Sequence, residues 1–403
     1  MRHLLFTDKH ILESYINLPD LRNTHSDSVE NRTAFVTGAT GFIGGFLLKE
    51  LLQNGTFESI ICLVRSNTKA SGFQRVKENL IIKGCDESSI DPSILKIETG
   101  DILAPSFGLE DETLKHLAKN VDHVFHFAAS MNWITPFNQD TVLNIEALKS
   151  IIGLCFDDRL KKLHYASSMG LWTLQNHKEG PVYETVLHDQ GHELPGGYFQ
   201  SKWVNEKILE LAKAKGLPLN IYRIGDVKGS AEDGLGDPQN FGNLVMKYFI
   251  ENGIVIDSDV PEFNFIPVDY LAKAIAHISI NETGRTFQFS NPDLISFKDI
   301  YESALSTNHD CRLVTKHEWV EKLKNDKSEF GKLLKPIFRP FTPDASSETT
   351  SFYNIGVAMF QKKHDVTNTL EALSNTSISC PAMIKDSVLN KYLTHLSQSA
   401  NKT

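Results

Sequence analysis

The run AFVTGATGFIGGFLLKELL, Ala34 to Leu52, restricts this chain more than any other stretch. A β-branched run ends in Val36 and Thr37, glycines follow at 38, 41 and 44, and apolar residues then recur every three to four positions. Strand, glycine turn and helix in that order open a βαβ unit. The turn directs unpaired backbone N–H groups and the positive end of a helix dipole at one point, which suits a pyrophosphate. Gly38 permits the tight turn, Gly41 lets the backbone approach the ligand, and Gly44 lets the helix lie close on the sheet. The spacing T-G-x-x-G-x-x-G differs by one residue from G-x-G-x-x-G. A glycine-rich turn without a ligand is the competing reading, and the flanking strand and helix count against it.

From Thr33 onward TAFVT, SIICLVR, LKIETGD, HVFHFAA, KLHYASS and LNIYRIG read as strands, with amphipathic helical stretches between most of them. The alternation predicts an α/β fold, a Rossmann-like doubly wound parallel sheet with helices on both faces. Residues 1–30 are polar and weakly patterned, an extension with NTHSDSVEN as linker, and 31–285 form the nucleotide-binding domain. After Gly229 the rhythm breaks in GSAEDGLGDPQNFG, which predicts a long substrate loop around 229–261. FNFIPVDYLAKAIAHISI reads as one more strand and a helix returning to the sheet. Residues 286–403 read as a smaller, mainly helical C-terminal lobe, with RTFQFS as a short strand in it.

The 403 residues, 41% hydrophobic and 23% charged, suffice for a sizeable globular core. A net charge of -9 and a pI near 5.9 exclude an extended nucleic-acid footprint but not a local pocket for one phosphate. The five cysteines are far apart, with no C-x-x-C pair and no histidines at metal spacing. They predict reduced thiols in a cytoplasmic protein and no metal site. No long apolar h-region and no run of 18 apolar residues occurs, which predicts neither export nor a membrane span.

The second strand ends at Arg65, where NAD-dependent proteins place an acid on the ribose hydroxyls. Arg65 and Arg75 offer planar cations for a 2′-phosphate, which favours NADPH; a solvated arginine at a strand end is the plainer alternative. Asp101 ends the third strand at a position suited to an adenine amino group, and the small Ala128 and Ala129 follow the fourth, where the backbone passes a cofactor. Tyr198 and Lys202 in GGYFQSKW share one helix face. The ammonium stabilises the phenolate and should tune the proton donor towards neutral pH, and Lys202 can also hydrogen-bond the nicotinamide ribose. Ser168 in HYASSMGLW can hold a substrate oxygen beside Tyr198, whereas Ser167 reads as a strand-end hydrogen bond. Trp133, Trp172 and the phenylalanines fit a pocket or ordinary core equally, and no substrate is read from them.

The set VTGATGFIGGFLL, CLVRS, HFAAS, YASS, GGYFQSKW and YRIGDVKG resembles the extended short-chain dehydrogenase/reductases. Within them the chain is most similar to the thioester reductase domains that end nonribosomal peptide synthetases, aminoadipate reductases and carboxylic acid reductases. That narrower likeness rests on G-Y-x-x-S-K-W at Gly197 to Trp203, on FNFIPVDYLAKAIAHIS, and on TNTLEALSNTSISCPAMIKDSVLNKYL near the end. It covers roughly Thr33 onward, and the combination is specific although each piece is not.

The resemblance implies cofactor contacts from Thr37, Gly38, Thr40, Gly41, Phe42 and Ile43, with Arg65 and Arg75 on the 2′-phosphate. Asp101 and Ile102 would flank adenine, and Ala128 and Ala129 the ribose side. Ser168, Tyr198 and Lys202 would be the catalytic triad. Asn144 would support Lys202 through a water, a solvent-facing polar residue being the other reading. The implied reaction is NADPH-dependent release of a phosphopantetheinyl or CoA acyl thioester as an aldehyde, with a second hydride giving the alcohol. The implied partner is an acyl or peptidyl carrier protein. No carrier or adenylation segment precedes the fold here, so the expectation is either one domain of a larger synthetase or a free-standing protein that meets its carrier in trans. Ile224 stands in place of the usual proline, Ser168 in place of the commoner threonine, and Asp226 with Lys228 adds charge to a loop near the nicotinamide. The alternatives are a nucleotide-sugar epimerase or dehydratase, which needs no such tail and usually holds NAD, and a non-redox release or sensing domain, which should lack the tyrosine or the lysine.

Overall fold

A computed structural model describes residues 7–21, 32–131, 136–172, 181–237, 240–260, 263–328, 331–332, 334–335 and 363–400. The first part of the chain runs α1 (Lys9–Ser14), β1 (Thr33–Thr37), α2 (Phe42–Gln53), β2 (Ser59–Val64), α3 (Lys69–Ile82), β3 (Leu95–Thr99), α4 (Asp111–Asn120), β4 (His123–His126), α5 (Gln139–Phe156) and β5 (Lys162–Ser168). Then come α6 (Gly197–Ala214), β6 (Leu219–Ile224), β7 (Asp226–Lys228), α7 (Phe241–Asn252), β8 (Ile254–Ile256), β9 (Phe265–Pro267), α8 (Val268–Asn281) and β10 (Thr286–Phe289). The last are α9 (Phe297–Ser306), β11 (Arg312–Val314), α10 (Lys316–Asn325), α11 (Thr367–Leu373) and α12 (Val388–Ala400).

All six strands read from the sequence form; β1, β2 and β6 are apolar runs covered on both faces, whereas β3 at the sheet's edge is only partly buried. They lie in one parallel seven-stranded sheet of order β10-β6-β5-β4-β1-β2-β3. The order turns back between β1 and β4, and in such sheets ligands bind beyond the carboxyl ends of the strands at that point. One apolar core, with Leu47 and Leu51 of α2 and Leu271 and Ile275 of α8, covers one face; the other, with Leu148 and Ile152 of α5 and Val204 and Ile208 of α6, covers the opposite face.

The second lobe departs from the sequence reading in three ways. RTFQFS belongs to the main sheet: β10 pairs with β6, Thr286 beside Ile221. The strand in FNFIP instead joins β7 in a separate two-stranded sheet, with Phe265 beside Asp226, although α8 does return to pack on α2. The stretch 229–261 is not all loop, since its asparagine caps a helix: Asn240 accepts the N–H groups of Gly242 and Asn243 at the start of α7. The lobe's own core joins Phe249 and Val255 to Phe297, Trp319, Leu389 and Tyr392, so it draws on α7 and β8 as well as on the C-terminal residues.

Residues 7–15 of the amino-terminal extension pack on the α5 and α6 side of the sheet. Leu12 of α1 is 1% exposed, Thr7 donates to Gln200 Oε1 at 2.9 Å, and the ring of Tyr15 meets Phe137 edge-on at 5.6 Å. Among the described residues no helix is long and apolar enough to cross a membrane, and no group of His, Cys, Asp and Glu is placed to hold a metal ion. All five cysteines are unpaired thiols, four of them buried.

Candidate active site

The glycine turn is built by subtraction. Gly38 has φ +81°, and a Cβ added there would lie 2.7 Å from Ala128 N and from the Phe127 carbonyl carbon. A Cβ on Gly44 would lie 2.2 Å from Gly38 O, so α2 rides directly against the turn. No side chain caps α2, whose N-cap is Gly41. A helix start without a side-chain cap, at the point where the strand order turns back, leaves main-chain N–H groups for a pyrophosphate. This cradle fits a dinucleotide.

The other expected cofactor residues border it. Thr37 Oγ1 lies 2.9 Å from His126 Nδ1 and accepts the Ala128 N–H at 3.3 Å, while Thr40, Phe42 and Ile43 are half-buried along the turn and first helical residues. Arg65 and Arg75 are exposed, and Arg75 Nη1 donates to the main-chain Arg65 O at 3.0 Å, which brings the Arg75 guanidinium to the end of the second strand. Asp101 Oδ1 accepts the Leu103 N–H at 3.0 Å, and Ile102 packs partly against the core. Ala129 is exposed and Ala128 half-buried beyond β4.

Two of the catalytic candidates lie on α6 and the third ends β5, the strand on which the Lys202 amine rests. Ser168 is the last residue of β5, and its Oγ accepts the Gly170 N–H at 3.0 Å, which leaves its own proton to donate. Tyr198 and Lys202 lie one turn apart on α6, with the amine 5.8 Å from the Tyr198 ring centroid. Lys202 Nζ donates to Ala166 O at 2.6 Å and lies 4.6 Å from the Tyr165 ring centroid. Burial pulls the Lys202 amine down to about 7, against the attraction of Glu206. Burial raises the Tyr198 phenol above its usual 10, so the expected tuning towards neutral pH does not hold in the protein alone. Desolvation outweighs the nearby amine and keeps the phenol in its donor form.

Asn144 is 5% exposed, so it does not face solvent. Its Oδ1 accepts the Ser130 N–H at 2.9 Å and its Nδ2 donates to Ser130 O at 3.1 Å, so the side chain satisfies the loop beyond β4. Asp226 and Lys228 lie on β7, not in a loop. Lys228 is 0% exposed, donates to Asp226 Oδ1 at 2.6 Å and to Asn240 Oδ1 at 3.1 Å, and stands 4.9 Å over the Phe265 ring. Val227 between them packs into the sheet core, so strand alternation turns both charges towards the lobe. Ser167 donates to the Glu206 carboxylate, which supports the structural reading of that serine. Trp172 is core, 3% exposed, and Trp133 lies outside the described residues.

Sequence reasoning missed a supporting layer. Asn79 of α3 donates to Ala39 O at 3.0 Å and accepts from Lys83 at 2.6 Å, bracing the glycine turn from behind. Arg223 and Glu206, 3% and 2% exposed, form a buried pair through Nε and Nη2, and Arg223 also donates to the carbonyls of Tyr183 and Val186. The only signal for the pair was charge in otherwise apolar patterns: an arginine inside LNIYRIG and a glutamate one turn beyond Lys202.

A sheet that turns back at a cradle free of side chains marks a dinucleotide-binding protein. The chain belongs to the NAD-binding family described as male sterility protein, whose model matches residues 36–275. It is 29% identical over 379 residues to a linear gramicidin synthase of Brevibacillus parabrevis, covering 92% of this chain and 7% of that protein. It is 27% identical over 337 residues to the L-2-aminoadipate reductase large subunit of Candida glabrata, covering 78% of this chain and 24% of that protein. The chain thus spans a small part of these curated relatives. Among solved structures, the terminal R domain from the myxalamid PKS-NRPS pathway superposes with a TM-score of 0.85 at 27% identity over 98% of each chain. A UDP-glucuronic acid 4-epimerase from Bacillus cereus in complex with NAD shares the fold alone, with a TM-score of 0.59 at 16% identity over 91% of this chain and 96% of that one.

Proposed function

We propose that this chain is an NADPH-dependent reductase that releases a carrier-bound acyl or peptidyl thioester, or a CoA thioester, as an aldehyde, with the alcohol as the product of a second reduction. The observation that carries the reading is the buried Lys202 amine one turn from Tyr198 on α6 and bonded to Ala166 of β5, the strand that ends in Ser168 at the same carboxyl end of the sheet as the glycine turn after β1. The likeness to a terminal R domain over nearly the whole of both chains supports it.

When bound, the reduced nicotinamide supplies hydride to the thioester carbonyl. Ser168, oriented by the Gly170 N–H, keeps its proton and donates a hydrogen bond to the carbonyl oxygen as charge develops there. Tyr198, neutral because it is buried, is the proton source for that oxygen. Lys202 holds positive charge against the phenol and the ribose. Collapse of the hemithioacetal yields aldehyde and thiol. Thr37 to Ile43 hold the pyrophosphate side, Asp101 and Ile102 the adenine, Ala128 and Ala129 the ribose side, and Asn144 secures the loop that follows. Arg65 and Arg75 select NADPH over NADH by planar charge-assisted bonds to the 2′-phosphate. The lobe and the 229–261 stretch form the acyl and phosphopantetheine channel, and the carrier protein docks there. Unpaired thiols fit a cytoplasmic enzyme.

The test is NADPH consumption with acyl-CoA and acyl-phosphopantetheinyl carrier substrates, with products identified by mass spectrometry. Aldehyde or alcohol that disappears in Tyr198→Phe is the expected result. Cofactor binding with no turnover of any thioester overturns the reading in favour of sugar-nucleotide or non-redox chemistry.

A further inference from the structure

Lys202 has the largest task in the proposed chemistry and, among the described residues, no carboxylate as an ion-pair partner. Glu206, one turn further along α6, spends its oxygens on Arg223 and Ser167. The amine is held instead by its hydrogen bond to Ala166 O and by the face of Tyr165 at 4.6 Å. Strand register explains how the ring comes to be there. Thr37 of β1 pairs with His126 of β4, which pairs with Tyr165 of β5, so three side chains stand in a row on the face that α6 covers. The Tyr165 ring is 1% exposed, and its hydroxyl accepts from Asn205 Nδ2 at 2.8 Å. Asn205 also donates to Asn144 O at 3.3 Å, tying the ring to α5 and α6 together.

We infer that Tyr165 is a positioning residue for Lys202: its ring face, together with the Ala166 carbonyl, seats the ammonium one turn from Tyr198. A ring face is suited to this place because it stabilises a cation without a counter-charge that would cancel the field at Tyr198. The other titratable groups around the amine are Tyr198 and Glu206 on α6, and His126 on β4. Arg223 on β6 acts through Glu206. His126 is held neutral, pulled down to about 3 by burial and then by Lys202, so it does not compete for the charge. This inference rests on the reductase reading for its catalytic meaning but not for its test.

The ring's electrons can be changed without changing its shape. In Tyr165→Phe, and in the same position carrying difluoro- and trifluorophenylalanine, the face weakens stepwise while the volume stays nearly constant. A weaker face favours the neutral amine, so the alkaline limb of the pH profile for thioester turnover moves to lower pH. The expected movement is about half a unit to one unit across the series, with Tyr165→Phe close to the parent. The pH dependence of NADPH affinity, read by nicotinamide fluorescence in the same proteins, shifts in the same direction and needs no thioester. Identical limbs across the series overturn the inference, as does a full shift already present in Tyr165→Phe, which would assign the effect to the hydroxyl and Asn205. If the parent protein turns over no thioester, the reductase reading fails while the NADPH titration still decides the part of Tyr165.

Discussion

The cofactor end and the catalytic end of the site lie a few strands apart and are held together by opposite means. Between β1 and α2 the backbone packs on backbone, and the contacts at Gly38 and Gly44 exist because side chains are missing. Between β5 and α6 charged groups are buried, and each is kept by particular partners: Lys202 by a carbonyl and a ring, Glu206 by Arg223 and Ser167. The first end should fail when volume is added and be indifferent to pH. The second should fail when a partner is removed and respond to protons. On the proposed reading, a steric device thus binds the cofactor and an electrostatic one carries the reaction.

The sharpest break in this contrast is Tyr198→Phe, which removes a proton and almost no volume. Turnover should fall by about 10²- to 10⁴-fold with cofactor affinity and thermal stability nearly unchanged, as separate kinetics, titration and melting would report. Glu206→Gln should cost about 3–5 kcal/mol in denaturant unfolding, because it leaves Arg223 buried and unpaired. Replacing both partners with apolar residues should restore much of that loss, which a purely steric account of the catalytic end does not predict. Gly44→Ala adds one methyl against the Gly38 carbonyl and should cost about 1–3 kcal/mol of stability and weaken NADPH binding at every pH.

Acid provides a gentler probe. His123 is pulled down to about 3 and His164 well below 6.5, in both cases first by burial. The unfolded chain binds these protons near pH 6.5 while the folded one refuses them, so stability is complete above that pH and declines as pH falls towards 3. The decline approaches about 1.4 kcal/mol per pH unit per histidine, measurable as a falling melting temperature. The smallest expected effect is Arg75→Ala, which should reduce the preference for NADPH over NADH by about tenfold in a cofactor competition.

Much of this was legible because it is local. Strands covered on both faces announce themselves as apolar runs, the turn as spaced glycines, and Tyr198 with Lys202 as a helix-face pair. What stayed hidden depends on residues far apart in the chain. RTFQFS is too short to declare its partner, and only the pairing of Thr286 with Ile221 makes it the sheet's seventh strand. The Asn, Asp and Gly around 233–240 signalled a loop when the asparagine, Asn240, was the cap of α7. Tyr165 and His126 read as strand packing, and it takes the register of β1, β4 and β5 to bring them under Lys202.

The lobe's construction bears on how such a protein could be recombined. Its core takes Phe249 and Val255 from one stretch, Phe297 and Trp319 from a second, and Leu389 and Tyr392 from a third. The loop before α7 meets the last helix so closely that a Cβ on Gly234 would lie 2.2 Å from Lys391 O. A chimaera that exchanged residues 286–403 alone would pair α7 and β8 of one parent with α12 of the other, and would carry away β10 from the sheet. The smallest exchangeable unit is therefore an interleaved set of segments, and on the proposed reading a graft meant to change acyl preference has to move contacts from both sides of the α8 helix at once.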